Sequence, residues 1–285
     1  MGMATALVTG ATGGLGRAVC ARLAAQGFRL VLVARDEARV ASLADDLAPD
    51  DHRERFLVET ADLASADDIG ELFTRVVSKG FAPDVLVNNA ATQGPIGPFL
   101  ASEWPAWQST IAVDLFAPAL LTRHLVPGMV ERGWGRVINI SGGGAAGPRP
   151  DFSAYAVAKT ALVRLTETLA HELAGSGVTL NAVAPGPMNT RMLDEVIAAG
   201  PLGASREYAP AVARARDGGV PPDQAAALVA WLASPASDGV TGRLLSAVWD
   251  PWQDLDAHRE EIAASDIYTL RRIVPRDRGH AWGDT

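Results

Sequence analysis

The stretch Ala4-Thr5-Ala6-Leu7-Val8-Thr9-Gly10-Ala11-Thr12-Gly13-Gly14-Leu15-Gly16 decides the fold of this chain. Residues 4–8 predict a short buried strand, and residues 17–25 have the apolar periodicity of a helix. The glycines between them allow a tight turn and the close approach of a pyrophosphate, whose charge would meet free N–H groups and the positive end of the helix dipole. A plain turn would also explain these glycines, but their place in the first strand–helix unit indicates a dinucleotide site.

Strands and helices alternate along the rest of the sequence. The predicted strands after the first cover residues 29–34, 56–59, 85–87, 136–140, 178–184 and 244–248. Continuous apolar runs such as residues 30–33 are typical of parallel strands that are buried on both faces. A long helical region over residues 105–132 is expected to break or bend near Pro118 and Pro127. This alternation predicts an α/β domain.

Composition and charge limit the class of protein. The chain has 285 residues, of which 48% are hydrophobic, which is ample for a full core. A formal net charge of −8, without a basic run, argues against a nucleic-acid partner. No apolar run approaches the roughly 20 residues that cross a membrane, and no signal peptide is evident, so we expect no membrane partner and a cytoplasmic location. The single cysteine, Cys20, is expected to be buried, and no metal site is predicted.

A second stretch, Asn139-Ile140-Ser141-Gly142-Gly143-Gly144, follows the fifth predicted strand and leads into a helix that carries Tyr155 and Lys159. Because they are four residues apart, these two side chains lie on one face of the helix. An ammonium one turn away favours the phenolate and would bring the pKa of Tyr155 down toward the range of a working acid or base. Tyrosine and lysine also recur at this spacing by chance, so the rest of the chain must decide.

Polar residues follow several predicted strands, at the edge where parallel sheets bind ligands. Arg35, directly after the second strand, favours the 2′-phosphate of NADP, although a solvated arginine beside Asp36 is the alternative. Asp62 is placed to bind an adenine amino group or, equally, to cap the helix that follows it. The run Asn88-Asn89-Ala90-Ala91 suits packing against a flat cofactor ring, and it also suits an ordinary turn.

These features together resemble the compact branch of the short-chain dehydrogenase/reductase family. The motifs that carry the resemblance occur in the family's order and are Thr9-Gly10-x-x-x-Gly14-x-Gly16, Asp62-Leu63, Asn88-Asn89-Ala90, Tyr155-x-x-x-Lys159 and Pro185-Gly186-x-x-x-Thr190. The resemblance covers roughly residues 4–248. It implies a Rossmann-type, doubly wound, seven-stranded parallel sheet with helices on both faces and a nicotinamide cofactor across the strand ends. It also implies a homodimer or homotetramer joined through long helices.

The resemblance assigns roles to single residues. Tyr155 is implied to be the general acid or base at the substrate oxygen, while Lys159 holds the nicotinamide ribose and lowers the pKa of the tyrosine. Thr190 and the backbone around Pro187 and Met188 are implied to bind the carboxamide. The cofactor-binding residues expected on this basis are Gly10, Thr12, Gly14, Leu15, Gly16, Arg35, Asp62, Leu63, Asn89, Ala90, Tyr155, Lys159, Pro185, Gly186, Met188 and Thr190.

Two positions depart from the family pattern. The family's substrate-binding serine lies thirteen residues before the tyrosine, where this chain has Gly142, with Ser141 one place earlier. Neighbouring side chains of a strand point to opposite faces, so Ser141 would face away from the nicotinamide unless the glycines distort the strand end. Asp114 replaces the family's usual asparagine, and it would pair directly with the charge of Lys159. The candidate catalytic residues are therefore Tyr155, Lys159, Ser141 and Asp114.

The sequence indicates one dinucleotide-binding catalytic domain over residues 1–250 and a C-terminal extension over residues 251–285. Within the domain, residues 190–222 have a loose pattern of weak helices, which predicts a mobile substrate lid. Trp249 and Trp252 would stack on a polyhydroxylated substrate or, as we favour, anchor the extension to the domain or to a partner subunit. Residues 267–273 have a weak helical stripe that suits docking.

The motifs favour an NADP(H)-dependent oxidoreductase, with NAD as the alternative cofactor, that interconverts a ketone and a secondary alcohol by hydride transfer. Gly142 and Asp114 motivate a second hypothesis, a cofactor-binding sensor or scaffold with weak or no catalysis. An epimerase, which oxidises and re-reduces one carbon, would use the same residues. The expected partner of the enzyme is a small carbonyl or alcohol substrate.

Overall fold

A computed structural model describes residues 3–48 and 52–282 and places them around one parallel β-sheet. Within these residues the sheet has seven strands, β1 (Thr5–Thr9), β2 (Arg29–Ala34), β3 (Phe56–Thr60), β4 (Val85–Asn88), β5 (Gly135–Ile140), β6 (Val178–Ala184) and β7 (Arg243–Ser246). The strands lie in the order β3-β2-β1-β4-β5-β6-β7, and every neighbouring pair is parallel. The predicted Rossmann-type, doubly wound α/β fold is confirmed.

Helices connect the strands and cover both faces of the sheet. They are α1 (Gly14–Ala25), α2 (Glu37–Leu47), α3 (Ala66–Ser78), α4 (Trp104–Ile111), α5 (Ala117–Glu131), α6 (Ser153–Glu172), α7 (Arg191–Gly203), α8 (Ser205–Asp217), α9 (Pro222–Leu232) and α10 (Arg259–Ala263). Helices α1, α2 and α9 bury their apolar sides against one face, and α3 and α5 against the other. In the described chain no helix is both long and apolar enough to span a membrane.

Alternate residues of each central strand belong to different cores. In β1, Ala6 and Val8 join the core cluster under α1 and α9, whereas Leu7 joins the cluster under α3 and α5. Because successive side chains of a strand point to opposite faces, a sheet covered on both sides needs apolar residues at every position. Cys20 lies in the first cluster, where burial raises the pKa of its thiol to about 12.

The strand order creates a crevice at the carboxyl edge of the sheet. From β1 the chain moves outward through β2 to β3, then returns to place β4 on the other side of β1. The connections after β1 and β4 therefore leave in opposite directions, and the space between the two strand ends is the usual ligand site of such a sheet. The glycine loop follows β1, and the Asn88-Asn89-Ala90 turn begins at the end of β4.

The helical region predicted over residues 105–132 changes its winding at Asp114. Residues Ala112–Phe116 form a π-helical turn between α4 and α5. Pro118 follows directly; it has no N–H, and its ring opposes the ordinary helical bond to residue 114, which is consistent with a widened turn there. Pro127 lies inside α5 without ending it. The region expected to break or bend near Pro118 and Pro127 thus changes its winding just before Pro118 and continues as helix through both prolines.

The predicted lid is more regular than its sequence indicates. Instead of weak helices, residues 190–222 contain α7 and α8, each of 13 residues, with a kink where Gly200 has a φ of 69°. Both helices carry an internal proline and join across Ala204. The apolar periodicity of these residues is weak because each helix buries only a narrow side. The buried residues include Leu193, Val196 and Ala211.

The C-terminal extension is packed on the domain as far as Leu270, whose N–H donates to the Glu167 carboxylate and whose side chain packs against a small core cluster. Trp252 is 9% exposed, belongs to the first core cluster and lies 6.0 Å from the ring of Trp231, whereas Trp249 is 72% exposed. The helix predicted over residues 267–273 is absent, and that prediction is wrong. This segment is held instead through its backbone, because the N–H of Leu244 donates to the carbonyl of Tyr268 at 2.8 Å.

Candidate active site

Thr9 and Asn89 fasten the ends of β1 and β4 to each other. The hydroxyl of Thr9 accepts hydrogen bonds from the backbone N–H groups of Asn89 and Ala90, both at 3.0 Å. The side-chain amide of Asn89 donates in return to the carbonyls of Thr9 and Gly10, at 2.9 and 3.1 Å. The predicted cofactor residue Asn89 therefore directs its amide N–H groups at the glycine loop and positions that loop.

Crowding of the backbone explains why the loop needs glycine. Gly10 has a φ of 63°, and a Cβ atom there would lie 2.9 Å from the Cα of Ala90. A Cβ on Gly16 would lie 2.2 Å from the carbonyl oxygen of Gly10. Gly13 and Gly14, by contrast, are exposed, and the N-terminus of α1 carries no side-chain cap. Its free N–H groups and helix dipole therefore fit a dinucleotide pyrophosphate.

Two arginines lie near the carboxyl end of β2, at one side of the crevice. Arg35 follows β2 and is exposed. Arg39, which sequence reasoning missed, reaches back from α2 and donates to the carbonyl of Thr12 at 3.4 Å. The carboxylate of Asp36 accepts from the N–H of Arg39 at 3.1 Å and so caps α2. The Arg39 guanidinium at the glycine loop and a second arginine at the end of β2 would suit a phosphate better than a ribose hydroxyl.

Asp62 is exposed at the end of β3, next to this region. Its carboxylate accepts from the N–H of Ala64 at 2.9 Å and thereby closes a turn in its own loop. The cap of α3 is Ser65, whose hydroxyl accepts from the N–H of Asp68 at 3.2 Å. The alternative in which Asp62 caps that helix is therefore wrong. The side chain of Leu63 packs against the second core cluster.

The end of β6 faces the glycine loop across the crevice. Gly186 has a φ of 87°, and a Cβ there would lie 2.6 Å from the side chain of Val248. Thr190 precedes α7, and its methyl group would lie 3.4 Å from a Cβ on Gly14. The two predicted cofactor segments are thus neighbours. Of the remaining predicted residues, Pro185 and Leu15 are buried, and Met188 is partly buried against the first core cluster.

The hydroxyl of Tyr155 lies against Gly142. A Cβ on Gly142 would be 2.2 Å from the Tyr155 hydroxyl oxygen, so this arrangement has no room for the family's serine. Ser141 is 2% exposed, and its N–H donates to the carbonyl of Val183 at 2.8 Å. Among the described residues its hydroxyl oxygen has no hydrogen-bond partner. The structure therefore brings Gly142, and not the predicted Ser141, to the tyrosine hydroxyl.

Lys159 and Asp114 form a buried ion pair behind the tyrosine. The exposed fractions of their side chains are 2% and 0%, and Nζ of Lys159 lies 3.4 Å from Oδ2 of Asp114. The ammonium also donates to the carbonyl of Ile140 at 3.0 Å. The other carboxylate oxygen of Asp114 accepts from the N–H of Thr92 at 2.8 Å. The structure thus contains the Asp114–Lys159 pairing that the sequence predicts, at the end of β5.

Burial dominates the electrostatics of the tyrosine. Burial raises the pKa of the Tyr155 phenol above its ordinary value, and the nearby Lys159 ammonium opposes this rise. Asp114 raises the tyrosine pKa further, Arg149 lowers it, and Glu207 raises it. Burial likewise raises the pKa of the Asp114 carboxyl, against the charge of Lys159. Lys159 thus lowers the pKa of Tyr155, as the sequence predicts, but burial outweighs this effect and the pKa lies above its ordinary value.

Helices α7 and α8, which form the predicted lid, cover Tyr155 and make apolar and polar contacts with the loops around it. Tyr155 is 6% exposed and packs in a cluster whose other buried members are Phe152, Leu193, Val196, Ala204 and Ala211. The side-chain amide of Gln93 donates to the carbonyl of Met192 at 2.5 Å, and the hydroxyl of Ser205 donates to the carboxylate of Asp151. The lid is therefore attached to the loops after both β4 and β5.

A family model described as short chain dehydrogenase matches residues 4–199 of this sequence. The chain belongs to this family. The human protein named dehydrogenase/reductase SDR family member 4 is 36% identical over 185 residues. The match covers 65% of this chain and 66% of that relative, so this chain spans just under two thirds of the relative's length. A D-beta-hydroxybutyrate dehydrogenase of Cupriavidus necator is 32% identical over 257 residues, covering 86% of this chain and 95% of the relative.

Solved structures of the same family share the fold. An actinorhodin polyketide ketoreductase variant, solved with NADPH, superposes with a TM-score of 0.76 at 31% identity, covering 86% of this chain and 95% of that chain. Family membership confirms the predicted resemblance to the short-chain dehydrogenases/reductases. Among the described residues no group of three or more His, Cys, Asp or Glu side chains is arranged to hold a metal ion.

The structure adds residues to the site that sequence reasoning missed. They are Thr9, Arg39, Gln93, Arg149 and Glu207. Arg39 carried a usable signal, because it is a second arginine, in the first turn of α2, close in sequence to Arg35 at the end of β2. Arg149 and Glu207 carried none, because 58 residues separate them and only the folding of the lid brings them together.

Proposed function

We propose that the protein is an NADP(H)-dependent short-chain dehydrogenase/reductase that interconverts a ketone and a secondary alcohol. The observation that carries this proposal is the Tyr155 hydroxyl, with the buried Lys159–Asp114 pair behind it, at the edge of the crevice that holds the glycine loop. The name of the Cupriavidus relative, a hydroxybutyrate dehydrogenase, agrees with secondary-alcohol chemistry.

The chain's residues would divide the work as follows. The N-terminus of α1 holds the pyrophosphate, and Arg35 and Arg39 hold a 2′-phosphate. When bound, NADP(H) supplies or accepts the hydride. Tyr155 gives a proton to the substrate oxygen during reduction and takes it back during oxidation. The Lys159 ammonium favours the phenolate, and Asp114 compensates that buried charge.

Residues 190–222 are proposed to act as the substrate lid. In the closed arrangement Tyr155 is 6% exposed, so a substrate carbonyl reaches its hydroxyl only when α7 and α8 move away. Closure then excludes water from the reacting atoms. The sharp backbone turns at Gly200 and Gly218, with φ of 69° and 95°, are the natural hinges of such a movement.

Tyr155→Phe tests the proposed mechanism. This change removes the proton and little else, so we expect NADPH-dependent ketone reduction to fall by a factor of about 100 or more, while NADPH binding, followed by fluorescence, persists. Tyr208→Phe is the matched control, because Tyr208 packs in the same cluster from α8. Full activity in Tyr155→Phe would show that another group transfers the proton.

The cofactor preference needs its own test. If Arg35 binds the 2′-phosphate, Arg35→Asp should weaken NADP binding by about 10- to 100-fold and leave NAD binding equal or stronger. Arg123→Asp, an exposed change of the same charge on α5, controls for net charge. An unchanged ratio of NADP to NAD affinity in Arg35→Asp would contradict the assignment.

A sensor or scaffold remains the second candidate, and one observation favours it. The Tyr155 hydroxyl occupies the space of the family's serine, and burial holds its pKa high, so catalysis would be slow if the closed lid persists. This candidate predicts cofactor binding by calorimetry with no turnover over a broad carbonyl and alcohol panel. Steady-state turnover of any one substrate would exclude it.

The expected homodimer or homotetramer is also proposed rather than observed. Its support is the group of exposed large side chains on α4, the π-helical turn and α6, namely Trp104, Phe116 and Val157, which are 56%, 57% and 50% exposed. Light scattering after size-exclusion chromatography gives the assembly mass directly.

A further inference from the structure

Arg149 and Glu207 make a two-pronged ion pair between the loop after β5 and the lid. Nε and Nη2 of Arg149 donate to the two carboxylate oxygens of Glu207, each at 2.6 Å. The planar guanidinium fork matches a carboxylate in this geometry, and such pairs are among the stronger and more specific protein hydrogen bonds. The geometry is that of a site built to recognise a carboxylate.

This guanidinium lies beside the proposed reacting group. Its central carbon is 3.8 Å from the ring centre of Phe152 and 5.2 Å from that of Tyr155. A Cβ on Gly143 would lie 3.7 Å from its Nε, so the arginine follows the same glycine run that the Tyr155 hydroxyl touches at Gly142. A carboxylate held by Arg149 is therefore only a short carbon chain away from the tyrosine hydroxyl.

The two partners differ in how firmly they are fixed. The Arg149 side chain is 16% exposed and is stacked on Phe152, whereas Glu207 is 35% exposed and belongs to the first turn of α8. Moving α8 away would break this pair and remove the two charge-assisted hydrogen bonds that Arg149 makes to Glu207, which is unfavourable. Opening of the lid thus becomes easier when another carboxylate takes the place of Glu207.

We propose that Arg149 binds the carboxylate of a short oxo-acid or hydroxy-acid substrate, and that Glu207 holds this place in the closed lid until the substrate displaces it. This substrate class rests on the proposed function. The carboxylate of the substrate would anchor one end, and its carbonyl would lie at the Tyr155 hydroxyl. A neutral ketone of the same size would also have to displace Glu207, but it has no carboxylate to pair with the positive charge of Arg149.

Binding of matched probes tests the proposal without requiring turnover. Acetoacetate and its neutral amide, acetoacetamide, are titrated by calorimetry into protein saturated with NADP⁺, which cannot reduce them. We expect the wild type to bind the acid about 10- to 100-fold more tightly than the amide, from the charge-assisted pair. Pyruvate and levulinate, each with its amide, measure the preferred distance between the carbonyl and the carboxylate.

Three variants test whether Arg149 and Glu207 cause the preference for the acid over the amide. Arg149→Met should abolish the acid-to-amide ratio, and Arg149→Lys should retain only part of it, because lysine keeps the charge but loses the fork. Glu207→Gln should tighten acid binding by about tenfold, because the competing carboxylate is gone. The matched control is Arg216→Met, which removes an exposed arginine of α8 that pairs with its neighbour Asp217.

The outcomes separate this inference from the proposed function. No acid preference in the wild type, a preference that survives in Arg149→Met, or no effect of Glu207→Gln would each overturn the substrate assignment and leave the pair as a lid fastening alone. Absence of NADPH-dependent turnover over the broad carbonyl and alcohol panel would instead contradict the proposed oxidoreductase, while the binding ratios still decide whether Arg149 recognises a carboxylate.

Discussion

Introducing the family's serine at Gly142 should impair this protein rather than improve it. The added Cβ would lie 2.2 Å from the Tyr155 hydroxyl oxygen, 3.0 Å from Cζ and 3.2 Å from Cε1. Ordinary contact between such atoms is about 3.5 Å, so the hydroxyl must move by about 1.3 Å. The ring cannot move freely, because it is packed among Phe152, Leu193 and Val196.

Both activity and stability should therefore fall. A displacement of about 1 Å at a reacting group costs on the order of 100-fold in rate, and overpacking of a core costs about 1 to 3 kcal/mol. For a chain of this size each kcal/mol corresponds to about 2 to 4 °C in melting temperature. We expect Gly142→Ser to lower kcat for ketone reduction about 100-fold and the melting temperature by several degrees.

Two further variants separate the steric effect from the chemistry of the serine hydroxyl. Gly142→Ala adds the same Cβ without a hydroxyl and should behave like Gly142→Ser. Gly143→Ala places a Cβ 3.7 Å from its nearest neighbour, which is ordinary contact, and should leave the melting temperature unchanged. If Gly142→Ser instead raised kcat at an unchanged melting temperature while Gly142→Ala did not, the tyrosine would have room for the serine and the reasoning would be refuted.

Three other predictions concern the charged side chains of Lys159, Glu207 and Arg243. Lys159→Met should destabilise the protein by about 3 to 5 kcal/mol in chemical denaturation, because Asp114 loses its counter-ion, and Asp114→Asn in the same chain should restore most of this. Glu207→Gln should move the alkaline rise of alcohol oxidation to lower pH, because Glu207 raises the pKa of Tyr155; a shift to higher pH would contradict it. Arg243→Met should expose residues 251–282 to proteolysis, because Arg243 holds three carbonyls of that extension; an unchanged digestion pattern would refute this.

The sheet was predictable because its causes are local in the sequence. A strand buried on both faces must be apolar at every position, as residues 30–33 are, and the glycine loop lies between the first such strand and the first helix. The strand order was not visible in the residues themselves and came from the family resemblance. The weak helical stripe over residues 267–273 shows the limit of periodicity, because the segment is irregular and only Leu270 of the stripe packs against a core cluster, while Ile267 and Ile273 are exposed.

The candidate site was predictable where two residues share one element. Tyr155 and Lys159 are one turn apart on α6, so their proximity follows from helix geometry alone. Asp114 needed the resemblance, since nothing local connects the π-helical turn with α6. Asn89 was predicted as a cofactor residue, but the sequence could not show that its amide donates to the carbonyls of Thr9 and Gly10.

The glycine at position 142 and the closed lid are connected by one physical argument. Without a serine side chain, the tyrosine hydroxyl can move into the strand end, and this places the ring deep enough for Leu193 and Val196 to cover it. Covering removes water from the phenol and raises its pKa, which weakens it as a base while the lid is shut. Opening of the lid separates Glu207 from the site and leaves Arg149, whose positive charge lowers the same pKa. Movement of the lid would then both admit a substrate and bring Tyr155 closer to its working protonation range.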